Sequence, residues 1–282
     1  MNFLSIQSHV AYGHVGNSAA VFALQRLGCE VWPVHTVQFS NHPGYGGWRG
    51  SVFDAALVGE VVRGIAERGA LSRCDGVLSG YLGSAEIGAA ILDAVAVAKA
   101  ANPRARYCCD PVIGDVGSGV YVRDGIPAFL RERALPVADV ITPNRFELDC
   151  LSGEGSATRA AAVAAAESLR ARGPRAVLVT SLDTAETPPD AVDMLACDHG
   201  GRFLVRTPRL ATRVHGAGDA VAALFFFHYL RSSDVAAALA NTASAIFGVL
   251  QRTAQANAGE LLLIEAQEEL VAPTRVFRPE PV

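Results

Sequence analysis

A chain of 282 residues and 29.5 kDa is long enough for one large core or two small ones, and nothing in it reads as a linker between two. The net charge of −4, with 24 basic residues scattered along the chain, argues against a nucleic-acid or membrane-surface partner and for a small-molecule ligand. Half of the residues are hydrophobic, yet charge or glycine interrupts every apolar run well short of a bilayer span.

In chain order, the N-terminus "MNFLSIQSHV" lacks the positive region and small-residue cleavage site of a secretory signal, so a cytoplasmic location is expected. The first strand is predicted over Phe3 to Gln7. The loop after it carries Ser8, His9, His14 and Asn17 ahead of a helix near 16–27. Such a loop could read a heteroaromatic ring and its hydroxyls, or Asn17 or Ser18 could cap the helix. A strand follows over Val31 to Gln38, and then "FSNHPGYGGWRG" (39–50), whose glycines and aromatic tips are the composition of a mobile lid. Helix 53–68, strand 76–80, helix 84–101 and strand 106–110 come next.

The last of these strands runs into "CDPVIGD", where Asp110 and Asp115 suit a hydrated Mg²⁺ or a plain turn equally. After a helix near 125–133 and a strand over 139–143, "TPNRFEL" has two capping readings. Thr142 caps with Pro143 at the first helical position, or Asn144 caps with Glu147 three residues on. Were a nucleotide to bind nearby, Asn144 and Glu147 would face its metal and phosphates. Helices near 145–151 and 158–171 and a strand over 176–181 complete a repeated strand–helix–strand pattern, the signature of a parallel sheet covered on both faces.

Beyond Thr180, "AVDMLAC-DHGG-RFLVRTPRL" reads as a hairpin forming an antiparallel edge. Gly216 to about Leu270 reads as three helices, and "PTRVFRPEPV" as a proline-broken tail. The first of these helices begins "HGAGDAVAALFFF". Gly216, Ala217 and Gly218 leave their amides bare at a helix start, which makes an anion site, and Asp219 could accept a proton from an attacking hydroxyl or be an ordinary first-turn acid.

The six cysteines form no C-x-x-C pair and read as buried thiols rather than disulfides or a zinc site. No phosphate-binding P-loop, H-E-x-x-H or G-x-S-x-G element occurs, and "GYGGWRG" does not fit G-x-G-x-x-G, so a kinase here would follow neither the P-loop nor the protein-kinase design.

Taken together, "SIQSHVAYGHVGNSAA", "TVQFSNH", "GYLGS", "CDPVIGD", "ITPNRFEL" and "GAGDA" occur in the order and spacing of the pyridoxal kinases, and the chain resembles that family over nearly its whole length. The resemblance implies one ribokinase-like kinase domain over 1–282, a three-layer αβα sandwich with a mostly parallel sheet and an antiparallel edge. The implied reaction is ATP-dependent phosphorylation of the 5′-hydroxymethyl group of pyridoxal or a related B6 vitamer. It also implies Mg²⁺, often a monovalent cation such as K⁺, and a homodimer. By the same resemblance Asp219 is the catalytic base, with Gly216, Ala217 and Gly218 as anion hole. Ser8, His42 and Tyr81 are vitamin contacts, with Val15, Val37 and Phe39 beside the ring. Asp110, Asp115, Asn144 and Glu147 match the metal and phosphate cluster, the ion falling to Asp110, Asp115 and Glu147, while Thr180 and Ser181 match nucleotide-phosphate contacts.

Three positions depart from the family pattern. Pro43 stands where the lid more often has threonine, and Val120 where some bacterial members have a reactive cysteine. His215 stands where a small or branched residue is commoner, and reads as a loop histidine rather than a nucleotide contact. A hydroxymethylpyrimidine kinase and a catalytically silent vitamin-binding protein are the rival readings.

Overall fold

The computed structural model describes every residue from Met1 to Val282. In chain order its elements are β1 (Asn2–Val10), α1 (Asn17–Arg26), β2 (Glu30–Phe39), β3 (Gly50–Val52), α2 (Ala55–Glu67), β4 (Gly76–Ser79), α3 (Ala85–Ala101) and β5 (Arg106–Cys109). There follow β6 (Gly114–Asp115), β7 (Gly119–Val120), α4 (Ile126–Phe129), β8 (Val140–Ile141), α5 (Arg145–Ser152), α6 (Arg159–Arg170) and β9 (Ala176–Leu182). The chain ends with β10 (Ala191–Asp198), β11 (Gly201–Pro208), α7 (Ala217–Ser232), α8 (Val235–Gln255) and β12 (Glu280–Pro281).

One ten-stranded sheet takes the order β12-β11-β10-β9-β8-β5-β4-β1-β2-β3, and β6 and β7 pair separately as a small hairpin. The six strands from β9 to β2 are parallel, while β10 to β12 at one edge and β3 at the other are antiparallel. Side chains alternate across the pleat, so Leu4 and Val77 join a core of 36 buried residues with α2, α3, α5 and α6, whereas Phe3 and Leu78 join one of 35 with α1, α7 and α8. Helices on both faces make the three layers, and they explain why the central strands read as unbroken apolar runs.

Local chemistry sets the helix starts. Asp54, Ser84, Thr158 and Asp234 each accept an amide of the first turn of α2, α3, α6 and α8. The run "VAALFFF" in α7 is buried throughout because α7 packs on the sheet and is covered by α1 and α8. Five of the six cysteines are buried and none is bonded to another.

The fold departs from the sequence expectations at short elements. The segment expected as helix 125–133 is one α turn that continues as a π turn over 130–134 and a 3₁₀ turn over 135–137, next to Pro136. The third C-terminal helix is absent, with a 3₁₀ turn at Gln267–Leu270 in its place. α8 stops where Asn257 takes a left-handed φ of 49°, and no long helix follows. The tail contributes β12, and the proposed lid segment ends in β3. Neither Asn17 nor Ser18 caps α1: the N-cap is Gly16. The Asn17 side chain is buried, taking a bond from Ser5 Oγ at 2.7 Å and donating to the Val34 carbonyl at 3.0 Å, while Ser18 Oγ donates to the Val10 carbonyl at 2.6 Å.

Candidate active site

Six parallel strands deliver their carboxyl ends to one edge of the sheet, and the loops above that edge carry the candidate residues. Gly216 is the N-cap of α7 with φ +89°, a conformation that favours glycine. A Cβ there would lie 1.6 Å from the His14 carbonyl oxygen, so the loop after β1 and the start of α7 touch backbone to backbone. A Cβ on Gly218, one turn-step on, would meet nothing within 4 Å, which leaves that face of the turn open to the cleft. Asp219 occupies the first turn of α7 beside these amides. Burial raises its carboxyl to about 6, against backbone hydrogen bonds from Gly16 and from its own amide that favour the charged form.

Asp219 has acidic neighbours. Asp110, just past β5, is buried and held well above the usual carboxylate range, first by loss of hydration and then by the fields of Glu147 and Asp219, although Thr142 Oγ1 donates to it at 2.8 Å. Glu147 is also buried and is pushed up to about 7 by desolvation, opposed by the amides of Asn144, Ile113 and Gly114. Of the two capping readings, the structure has the second. Asn144 is the N-cap of α5 in a full capping box, with Asn144 Oδ1 accepting from the Glu147 amide at 2.9 Å and Glu147 Oε2 from the Asn144 amide at 2.9 Å. Thr142 is therefore no cap, and its hydroxyl serves Asp110. Glu147 Oε1 takes the Ile113 amide at 2.9 Å and Asn144 Nδ2 donates to the Gly114 carbonyl at 2.8 Å, which ties the β6–β7 hairpin and its exposed Asp115 to α5.

Asp110, Asp115 and Glu147 do not converge as a cluster of direct metal ligands. Each Glu147 oxygen instead accepts a backbone amide, which holds that carboxylate between α5 and the β6–β7 hairpin. The four acids nevertheless form no ion pair with any lysine, arginine or histidine. Carboxylates gathered with no protein cation to balance them fit a hydrated divalent ion reached through its water shell.

Thr180 and Ser181 lie at the end of β9. The Thr180 amide donates to the Pro143 carbonyl at 2.9 Å, and Ser181 is exposed with a left-handed φ of 48°. On the other side of the cleft, Val10, Val37 and Phe39 form a small cluster against which Val15, Val52 and Tyr81 pack, so the four apolar and aromatic residues expected around a ring do come together. Ser8 is buried beside them, and a Cβ on Gly16 would strike its Oγ at 2.4 Å.

The lid holds more structure than its glycines suggest. His42 caps a 3₁₀ turn over Pro43–Tyr45 with Pro43 at its first position, and His42 Nδ1 accepts from the Gly44 amide at 3.1 Å. Trp48 packs on Phe39 with ring centroids 4.1 Å apart. His215 is not a bare loop histidine, since its ring stacks on His42 at 3.7 Å.

Three residues escaped the sequence reading. Thr142 had only a capping signal, and Tyr121, flanking the β6–β7 hairpin, carries no motif. Its phenol is pushed up by lost hydration and then by Glu147, Asp110, Asp219 and Asp115. Glu260, beyond α8, meets the lid only in three dimensions. A cavity of about 550 Å³ elsewhere, lined by Arg104, Arg106, Asp139, Arg170 and Arg175, lies at the amino-terminal ends of β5, β8 and β9, away from every candidate residue.

Residues 54–263 match the family model described as phosphomethylpyrimidine kinase. Among curated proteins, the chain is 55% identical over 281 residues to pyridoxal kinase PdxY of Granulibacter bethesdensis, covering 98% of each chain. It is 52% identical over 282 residues to pyridoxal kinase PdxY of Corynebacterium diphtheriae, covering 100% of both. Among solved structures, pyridoxal kinase from Leishmania donovani in complex with ADP and pyridoxamine superposes with a TM-score of 0.92 at 30% identity, covering 100% of this chain and 99% of that one.

Proposed function

This chain belongs to the pyridoxal kinases of the ribokinase-like superfamily, and we propose on that basis that it transfers the γ-phosphoryl group of ATP to the 5′-hydroxymethyl group of pyridoxal or a close vitamer, giving the 5′-phosphate. The observation that carries the site assignment is the pairing of Asp219 with the bare first turn of α7 above the carboxyl ends of the sheet.

In this reading the vitamin ring lies against Val15, Val37, Phe39 and Tyr81, with Ser8 and His42 addressing its polar edge. Asp219 accepts the hydroxymethyl proton as the oxygen attacks phosphorus. The amides of Gly216, Ala217 and Gly218, at the positive end of the α7 dipole, take up the negative charge that develops. Thr180 and Ser181 address the remaining phosphates. Asp110, Asp115 and Glu147 would hold hydrated Mg²⁺, which when bound neutralises charge on the transferred group. Positioning two reactants in one dry cleft supplies most of the acceleration. A homodimer and a cytoplasmic location belong to the same reading; no helix is long and apolar enough to cross a membrane.

Asp219 must be ionised to act as base, and its carboxyl sits at about 6. With ATP saturating, kcat/KM for pyridoxal is therefore expected to be full above that value and to fall about tenfold per unit as the pH drops below it. A profile flat down to pH 4.5 would remove Asp219 from the role.

The phosphomethylpyrimidine description of the family model keeps a hydroxymethylpyrimidine kinase as the second reading. ADP release measured with pyridoxal, pyridoxine, pyridoxamine and hydroxymethylpyrimidine decides between them. The expected order puts a B6 vitamer at least tenfold ahead in kcat/KM. A preference for the pyrimidine would replace the assignment, and no ADP with any of the four would make the protein a silent binder.

A further inference from the structure

Four loops that are far apart in the chain meet at the mouth of the vitamin cleft. Tyr12 and Gly13 come from the loop after β1, His42 and Tyr45 from the lid, His215 from the residue before the α7 N-cap, and Glu260 from the segment after α8. The His42 and His215 rings are 3.7 Å apart and 22° from parallel, and Tyr45 lies 5.6 Å from His215. A Cβ on Gly44 would fall 2.9 Å from His42 Nδ1 and 3.0 Å from His215 Nε2, so glycine is what lets the lid backbone close down on the pair. The Glu260 carboxylate lies behind the stack. Its Oε2 is buried without a hydrogen-bond partner, a Cβ on Gly13 would strike it at 2.4 Å, and its field reaches both Tyr45 and His215.

The two sides of this contact differ in stiffness. His215 is joined directly to the N-cap of α7, which is buried in the core from Ala220 to Phe227, whereas the lid is exposed from Pro43 to Gly50. The stack therefore joins an exposed loop to a segment that leads straight into the core. Burial, with the second ring nearby, lowers His42 to about 4, and burial lowers His215 as well, so at neutral pH two uncharged rings stack without repulsion. Pro43 and His215, two of the three departures from the family pattern, thus act on one residue. Pro43 presets the turn that His42 caps, and His215 covers the His42 ring.

Resting on the assignment of this cleft to a B6 vitamer, we propose that His215 is a positioning residue for the vitamin lid: stacked on His42 and backed by Tyr45 and Glu260, it fixes the His42 imidazole over the ring site before substrate arrives. A lid ordered in advance loses less freedom on binding, so the gain falls on vitamin affinity rather than on the phosphoryl step.

The test compares His215→Ala with His215→Phe, which keeps a flat ring, in the full-length protein. His215→Ala is expected to raise the pyridoxal KM about 3- to 10-fold, the worth of one aromatic pair, with kcat and the ATP KM within twofold. His215→Phe is expected to restore it. Amide hydrogen exchange over residues 40–50 in the ligand-free protein should speed up in His215→Ala and return to the wild-type rate in His215→Phe. An unchanged pyridoxal KM together with unchanged exchange in His215→Ala, or a His215→Phe protein as impaired as His215→Ala, overturns the proposal. If the wild-type protein phosphorylates no vitamer, the functional reading falls, while the exchange measurement still decides whether His215 holds the lid.

Discussion

Asp219→Asn is expected to lower kcat for pyridoxal by roughly 10²- to 10⁴-fold, the range for losing a positioned general base, while pyridoxal and ATP still bind within a few-fold of wild type. Asparagine keeps the shape of the side chain and can still lie at the first turn of α7, but it cannot accept the hydroxymethyl proton. The substitution also removes one negative charge beside Asp110, whose carboxyl is held up partly by Asp219, so the fold should gain rather than lose stability. That separates chemistry from folding: Tm stays level or rises while turnover collapses. Steady-state ADP release together with calorimetric binding of pyridoxal measures both. Turnover within threefold of wild type would require another base.

The second large effect concerns two glycines two residues apart. Gly216→Ala places a methyl group 1.6 Å from the His14 carbonyl oxygen, and on a backbone with φ +89°. Something must shift, and the first turn of α7, the proposed anion hole, and the loop after β1 are the parties in contact. The expected outcome is a stability loss of about 1–3 kcal/mol from the backbone strain and a fall in kcat of about 10²- to 10³-fold, as when an oxyanion donor is displaced. Gly218→Ala is the contrast, because its Cβ would meet nothing within 4 Å and its φ is helical. Alanine in a helix is favoured there by about 0.5–1 kcal/mol, so a more stable protein with lowered turnover is expected, its methyl intruding on the space of the transferred phosphoryl group. Thermal melts and initial rates on the pair check this. Full activity in Gly216→Ala would mean that these amides bind no developing charge.

Much of the fold was legible because its central strands and long helices carry strong periodic signals: "AVLVTS" became β9 and "AEIGAAILDAVAVAKAA" became α3. What escaped was short. β3, β6, β7, β8 and β12 have two or three residues each, too few for any alternation to register, and of these only β8 lay within a run read as a strand. The stretch after α8 is apolar and helix-friendly in composition, yet left-handed Asn257 cuts it off from helix propagation. At the site, the motifs lie on loops that the fold gathers above the carboxyl ends of the strands, and the capping box at Asn144 and Glu147 was one of two readings the spacing offered. Spacing could not show that Thr142 turns toward Asp110, that Asn17 is buried in the core, or that His215 reaches the lid. Each of these depends on where a distant segment comes to rest.

The contact between the His14 carbonyl and Gly216, together with the Gly16 amide on Asp219, bears on how this enzyme class can be re-engineered. The loop that would choose the substrate is in backbone contact with the turn that would perform the transfer. A graft intended to redirect the cleft to another hydroxymethyl compound would have to carry residues 8–16 and 214–219 as one cassette. Swapping the recognition loop alone would disturb the phosphoryl cradle with it.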